Sequence, residues 1–195
     1  MKLTPEWYQR QDVVQLSKEL LGKVLCTNIS GEYTSGIIVE TEAYAGVSDK
    51  ASHAYGGRRT KRTEVMYAQG GVAYVYLCYG IHNLFNIITN EKDVPHAVLI
   101  RGIEPLEGKE IIVQRRKVKT MKNIGIGPGK VSQALGIDML HNQMDLQSQE
   151  LWVEDRGIKI PERAILSGPR IGIDYAGEDA KLPYRFWVKN IADFL

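Results

Sequence analysis

A chain of 195 residues, 44% hydrophobic and 25% charged, has enough apolar side chain for one buried core and too much of it for disorder. Nowhere do about 18 apolar residues run together, which excludes a helical membrane span. The opening Met1-Lys2-Leu3-Thr4-Pro5 has no apolar stretch of signal-peptide length, so a cytoplasmic location is expected; a formal net charge of +2 argues for no particular partner.

In chain order, apolar residues at 13, 14, 16, 20 and 21 predict a short amphipathic helix from Asp12 to Leu21, stopped by Gly22. Residues 23–29 and 35–44 read as strands around a turn at Gly31. Val72–Tyr79 and Asn83–Thr89 read as a hairpin joined at Gly80, and a further strand is expected over His96–Ile103. Pro105 is predicted to open a helix running to about Val118, because proline is tolerated in a first helical turn. The glycine-rich loop Gly125–Gly129 leads into a helix at Lys130–Leu135. Short strands are expected around Ile171, Ile173 and Phe186–Val188. Strands cluster rather than alternate with helices, which predicts a single α+β domain over residues 1–195 with a mostly antiparallel sheet.

The charge distribution says more than its sum. Residues 109–130 hold seven basic side chains against Glu110 alone, and Arg58, Arg59, Lys61 and Arg62 form a second group. Such asymmetry is a candidate footprint for a polyanion, although a solvated helix face produces the same pattern. In the strand 35–44, alternation puts Ile38, Glu40, Glu42 and Tyr44 on one face. Two carboxylates there either face solvent or line a pocket, since burying them unpaired is costly; spacing does not choose between Glu40 and Glu42. Tyr74 and Tyr76 share a face of the predicted hairpin, while Tyr79 at its tip has little to pack on and reads as a probe offered to a partner.

Several chemistries fail on inspection. The four histidines and two cysteines lack metal-ligand spacing, so no metal is expected. Cys26 and Cys78 sit in apolar runs and read as buried thiols of a reducing compartment. A phosphate loop ending at Lys130 would need glycine at Ile124 and a hydroxyl at Val131. Lys130 at a helix start could still meet a phosphate of DNA.

Taken together, VETEAY at 39–44, His53 with GGRRT at 56–60, YVYLCYGIHNLFN at 74–86 and LIRGIEPLEG at 99–108 resemble the mammalian-type 3-methyladenine (alkyladenine) DNA glycosylases. GPGKVSQALGI at 127–137 and GPRIGIDYAG at 168–177 continue the likeness in the same order. The resemblance covers about residues 10–190 and implies a compact domain with a protruding, DNA-inserting β-hairpin. It implies that Glu42 is the general base and Arg101 its partner in holding the nucleophilic water, with Glu40 in a supporting or exposed role. The extruded purine would lie between Tyr44 and the His53 region on one side and Tyr76 on the other, with Asn86 lining the pocket and Tyr79 filling the gap in the stack. Arg58, Arg59 and Lys130 are the candidates for backbone phosphates. The implied reaction is cofactor-free hydrolysis of the N-glycosidic bond of 3-methyladenine or hypoxanthine in duplex DNA by a monomer, leaving an abasic site. Ile81, His82 and Asn83 depart from the bulkier apolar residues that would suit the wedge. A binding module for modified nucleic acid, or a nucleoside hydrolase, would be the competing readings; the first needs no carboxylate and the second no hairpin probe.

Overall fold

The computed structural model describes residues 1–195. Its frame is one eight-stranded antiparallel sheet: β1 (Val24–Ile29), β2 (Glu32–Tyr44), β3 (Val72–Cys78), β4 (His82–Thr89), β5 (His96–Glu107), β6 (Leu151–Glu154), β7 (Ile165–Gly168) and β8 (Arg185–Val188). The main path runs β3-β4-β5-β2-β1-β6, and β8 joins β2 to β7. The α+β class with an antiparallel sheet is therefore as expected from the clustered strands.

The 13-residue β2 is the spine. Its first half pairs with β1, its residues 40–42 pair with β8, and β5 runs along its other side from Ser35 to Tyr44. Register slips between β2 and β5 on both sides of Glu40, and such bulges bend a strand and re-aim its side chains. Gly36 lets the two strands close up, since a Cβ there would lie 2.7 Å from the Ile103 side chain.

Four α-helices flank the sheet: α1 (Pro5–Tyr8), α2 (Val13–Glu19), α3 (Lys109–Arg116) and α4 (Pro128–Leu135). Asp12 caps α2 by accepting from the Gln15 N–H. The helix lies on β2, where the Ser17 hydroxyl meets Thr41 Oγ1 at 3.0 Å. Helix α4 packs on β4 and β5, burying Val131, Ala134 and Leu135 in a core of 31 residues that takes in Ile37, Val98, Ile100 and Phe85.

Three expectations are corrected. Pro105 opens no helix: it lies inside β5 opposite Gly36, and α3 begins only at Lys109. By the two-residue period its nitrogen faces the same edge as that of Ile103, which bonds to the loop carbonyl of Gly125 rather than to β2. A missing N–H therefore costs no bond to β2. Ile171 and Ile173 lie outside any strand, in the loop that leads into a 3-10 turn at Asp174–Lys181. Cys26 is buried, but Cys78 is only half-buried.

Candidate active site

The hairpin of β3 and β4 closes through Tyr79, Gly80 and Ile81. Tyr79 and Gly80 both take left-handed backbone, at φ 50° and 73°, and the Ile81 N–H donates to the Cys78 carbonyl. This is the geometry that a tight hairpin selects, and Gly80 supplies it without strain. The tip bears two large apolar side chains in water: Tyr79 is 89% exposed and Ile81 72%.

Behind the hairpin opens a cleft of about 700 Å³, whose wall includes Tyr44, His53, Tyr76, Asn86, Arg101 and Lys130. Tyr79 stands at its rim, and Cys78 also reaches it. Tyr74 and Tyr76 share a face of β3, as alternation requires, with ring centroids 5.4 Å apart. The His53 and Tyr76 rings meet in a T-shaped arrangement with centroids 4.8 Å apart, and His53 Nδ1 lies 2.8 Å from the Tyr74 hydroxyl. Burial, with Arg62 and Arg58 nearby, pushes the His53 imidazole down to about 4, so it is neutral near pH 7. Asn86 is buried, and its Nδ2 donates to the carbonyls of Tyr74 and Leu84, which fixes its orientation.

Glu42 lies one bond behind this wall. Its side chain has no exposed surface, and it does not itself line the cleft. The Tyr44 hydroxyl donates to its Oε2 at 2.8 Å, the Ile171 N–H donates to its Oε1 at 2.8 Å, and Arg101 Nε stands 3.4 Å from Oε1. All three of those residues do line the cleft. Burial raises the Glu42 carboxyl above the usual carboxylate range, against the pull of Arg101, the Ile171 N–H and the Tyr44 hydroxyl. Glu40 is also mostly buried, paired with Arg101 at 3.2 Å and with Arg185 at 3.5 Å, so its face of β2 is not the solvated surface that an isolated strand would offer.

The basic candidates separate. Lys130 lies in the first turn of α4 at the cleft, held there because Gly127 N–H bonds to the Arg101 carbonyl and Ile103 N–H to the Gly125 carbonyl. A Cβ at Gly125 would stand 2.5 Å from the Ile103 carbonyl oxygen, so the loop needs glycine there. Arg58 is exposed, whereas Arg59 is held by Glu64 and Asp93, each at 2.7 Å.

Sequence reasoning gives no place in the site to four residues found there, although it marks Arg62 for its charge and Ile171 as a strand candidate. Arg62 lies 5.1 Å from the Tyr76 ring centre and lines the cleft, as does Tyr175. The Ile171 N–H and the buried Arg170 reach β2 from the segment of the motif at 168–177. A backbone donor leaves no trace in residue identity, so only that motif could have pointed to it.

The family model for methylpurine-DNA glycosylase matches residues 6–192, nearly the whole chain. The chain belongs to the methylpurine-DNA glycosylase family. Similar proteins from Chlamydia felis, Clostridium perfringens and Bacillus cereus, provisionally named 3-methyladenine DNA glycosylase, are 48%, 48% and 46% identical to it. The alignments cover 94%, 97% and 97% of this chain and 94%, 97% and 97% of those proteins. These findings support the methylpurine-DNA glycosylase family as a whole rather than its mammalian-type branch. A methylpurine-DNA glycosylase is a hydrolase of base excision repair acting on DNA, and no helix of this member is long and apolar enough to cross a membrane.

Proposed function

We propose that the chain is a single-domain, monomeric and monofunctional glycosylase that rotates alkylated or deaminated purines, 3-methyladenine and hypoxanthine among them, out of duplex DNA and hydrolyses their N-glycosidic bond. The observation that carries this reading is the Glu42 carboxylate, fully buried and fixed by three neighbours that themselves line an aromatic cleft.

In this mechanism the water oxygen bonds to C1′ of the deoxyribose as the bond from C1′ to the purine nitrogen breaks. The bonding pair leaves with the base, and Glu42 takes the proton of the water. An ionised Glu42 also offsets the oxocarbenium charge that grows on the sugar. Arg101 orients the water. Tyr44 and Tyr76 flank the extruded base, the His53 backbone N–H meets its edge, and Asn86, locked by its two bonds to carbonyls, excludes the guanine amino group by volume. Tyr79 occupies the vacated place in the stack, while Arg58 and Lys130 meet the phosphates and Arg59 does so only on leaving Glu64 and Asp93.

The reaction as drawn uses water and these side chains alone and leaves an abasic site, consistent with work on DNA in the cytoplasm. Release of free base from duplex DNA carrying hypoxanthine or 3-methyladenine, under single-turnover conditions, tests the reading. Glu42→Gln should lose about 10²–10⁴-fold in release while retaining DNA binding. Undiminished release would overturn the assignment.

A further inference from the structure

Glu40 is the one carboxylate of this cluster that the reaction above leaves without a task, yet the fold is built around it. Register between β2 and β5 slips on either side of it. The residue opposite is Gly102, where a Cβ would stand 3.0 Å from the Glu40 Cβ. Its Oε1 accepts the Nε–H of Arg101 at 3.2 Å, whereas Glu42 approaches the same nitrogen at 3.4 Å without receiving that hydrogen bond. The Nη groups of Arg101 make no hydrogen bond to the protein, and Arg101 lines the cleft. Glu40 thus takes the inward donor of Arg101 and leaves the fork of the guanidinium to the cleft. On its other side Arg185 Nη1 lies 3.5 Å from the same Oε1, and Arg185 stacks 4.5 Å from the Trp187 ring centre.

We propose that Glu40 is a positioning residue for the hydrolysis: it tethers Arg101 and balances the arginines around Glu42, so that Glu42 remains a strong enough base. This rests on reading Glu42 as the general base. The groups that face Glu42 are Arg101 from β5, Glu40 and Tyr44 from β2, Arg185 from β8, and Arg170 and Tyr175 from the loop and 3-10 turn after β7. Arg170 is matched by Asp49. Two cations, Arg101 and Arg185, then stand against two carboxylates, Glu40 and Glu42. Neutralising Glu40 leaves both arginines facing Glu42 alone, which favours its ionised form and weakens it as a base.

The test is the pH dependence of single-turnover base release from a hypoxanthine duplex. Glu40→Gln keeps the shape of the side chain and removes its charge. Its acid limb should move down by about one unit, and its plateau rate should fall about threefold as basicity is lost, the proton being only partly transferred in the transition state. The double variant Glu40→Gln/Arg185→Gln restores the charge balance and should bring the limb back toward its original place. A Glu40→Gln variant whose limb stays put overturns the proposal, whether its rate is intact or lost, and so does a double variant whose limb remains shifted. Thermal unfolding of each variant identifies any that fail to fold; Glu40→Asp, which keeps the charge on a shorter stem, then serves in its place and should retain the original limb, a moved limb counting against the proposal. Glu42→Gln run in parallel separates the two readings. If that variant still releases base, the general-base assignment is lost; if it is inactive and Glu40→Gln does not move the limb, only the role of Glu40 is lost.

Discussion

The guanidinium of Arg170 lies 4.8 Å from the centre of the Tyr44 ring, with its side chain wholly buried. It pairs with Asp49 through contacts of 2.5 and 2.8 Å, donates to the Ala43 carbonyl, and also lies 5.3 Å from the centre of the Tyr184 ring. Asp49 in turn accepts the N–H groups of Ala45 and Ala51. One cation therefore ties the end of β2, the loop that follows it and the segment bearing the Ile171 N–H into a single unit behind the cleft.

Breaking that unit from one side should be expensive. Asp49→Ala leaves a buried guanidinium without its counter-charge and is expected to cost about 3–5 kcal/mol, read as a lower midpoint in urea. Removing both charges with Asp49→Leu/Arg170→Met should cost less than the sum of the two single changes, because neither partner is then stranded. Strictly additive losses would show that the pair is not coupled.

The raised Glu42 carboxyl has consequences of two signs. With Glu42 as the proposed general base, release needs its ionised form, so the rate should rise with pH through a midpoint above the usual carboxylate range. For stability, a group whose folded pKa is raised contributes fully below its unfolded value and loses that contribution as pH rises through the folded one. Wild type should therefore lose stability relative to Glu42→Gln as pH climbs through that midpoint. Paired thermal melts at several pH values check this, and a gap that is independent of pH counts against it.

His53 runs the other way. Its folded value near 4 lies below that of an unfolded histidine, so the unfolded chain binds the extra proton first. The contribution of this residue is present above about pH 6.5 and should drain away as pH falls toward 4. Nuclear magnetic resonance of the His53 ring should show a neutral imidazole unchanged between about pH 5.5 and 8. A titration midpoint inside that window would contradict the buried, cation-flanked setting.

Tyr79→Ala removes the exposed ring but nothing on which the fold rests. Base–aromatic stacking is worth about 1–3 kcal/mol, so excision from a duplex should fall by roughly 5- to 150-fold. Melting temperature should hardly move, and release from a single-stranded substrate should be much less affected. Equal losses on both substrates would rule against insertion into the stack.

Strands were legible where alternation and turn residues agreed: Gly80 marks the hairpin, and Tyr74 and Tyr76 fall on one face as their spacing requires. Asp12 and Gly22 bracket α2 in the same way. Pro105 misled because a proline is equally at home in a first helical turn and at a strand edge that needs no donor, and only the long-range pairing with Gly36 separates the two. The site was half legible. Glu40 and Glu42 were grouped by periodicity, but their ion pairs depend on Arg101 and Arg185, about 60 and 145 residues away in the chain. Closing such distances is a property of topology, which local patterning does not encode.

The seal over Glu42 bears on hydration. With no exposed surface on that carboxylate, a general-base role for Glu42, as proposed, requires the water that hydrolysis consumes to be admitted past Tyr44 and Ile171. On that reading the resting protein keeps the Glu42 carboxylate out of contact with bulk water until a nucleotide arrives.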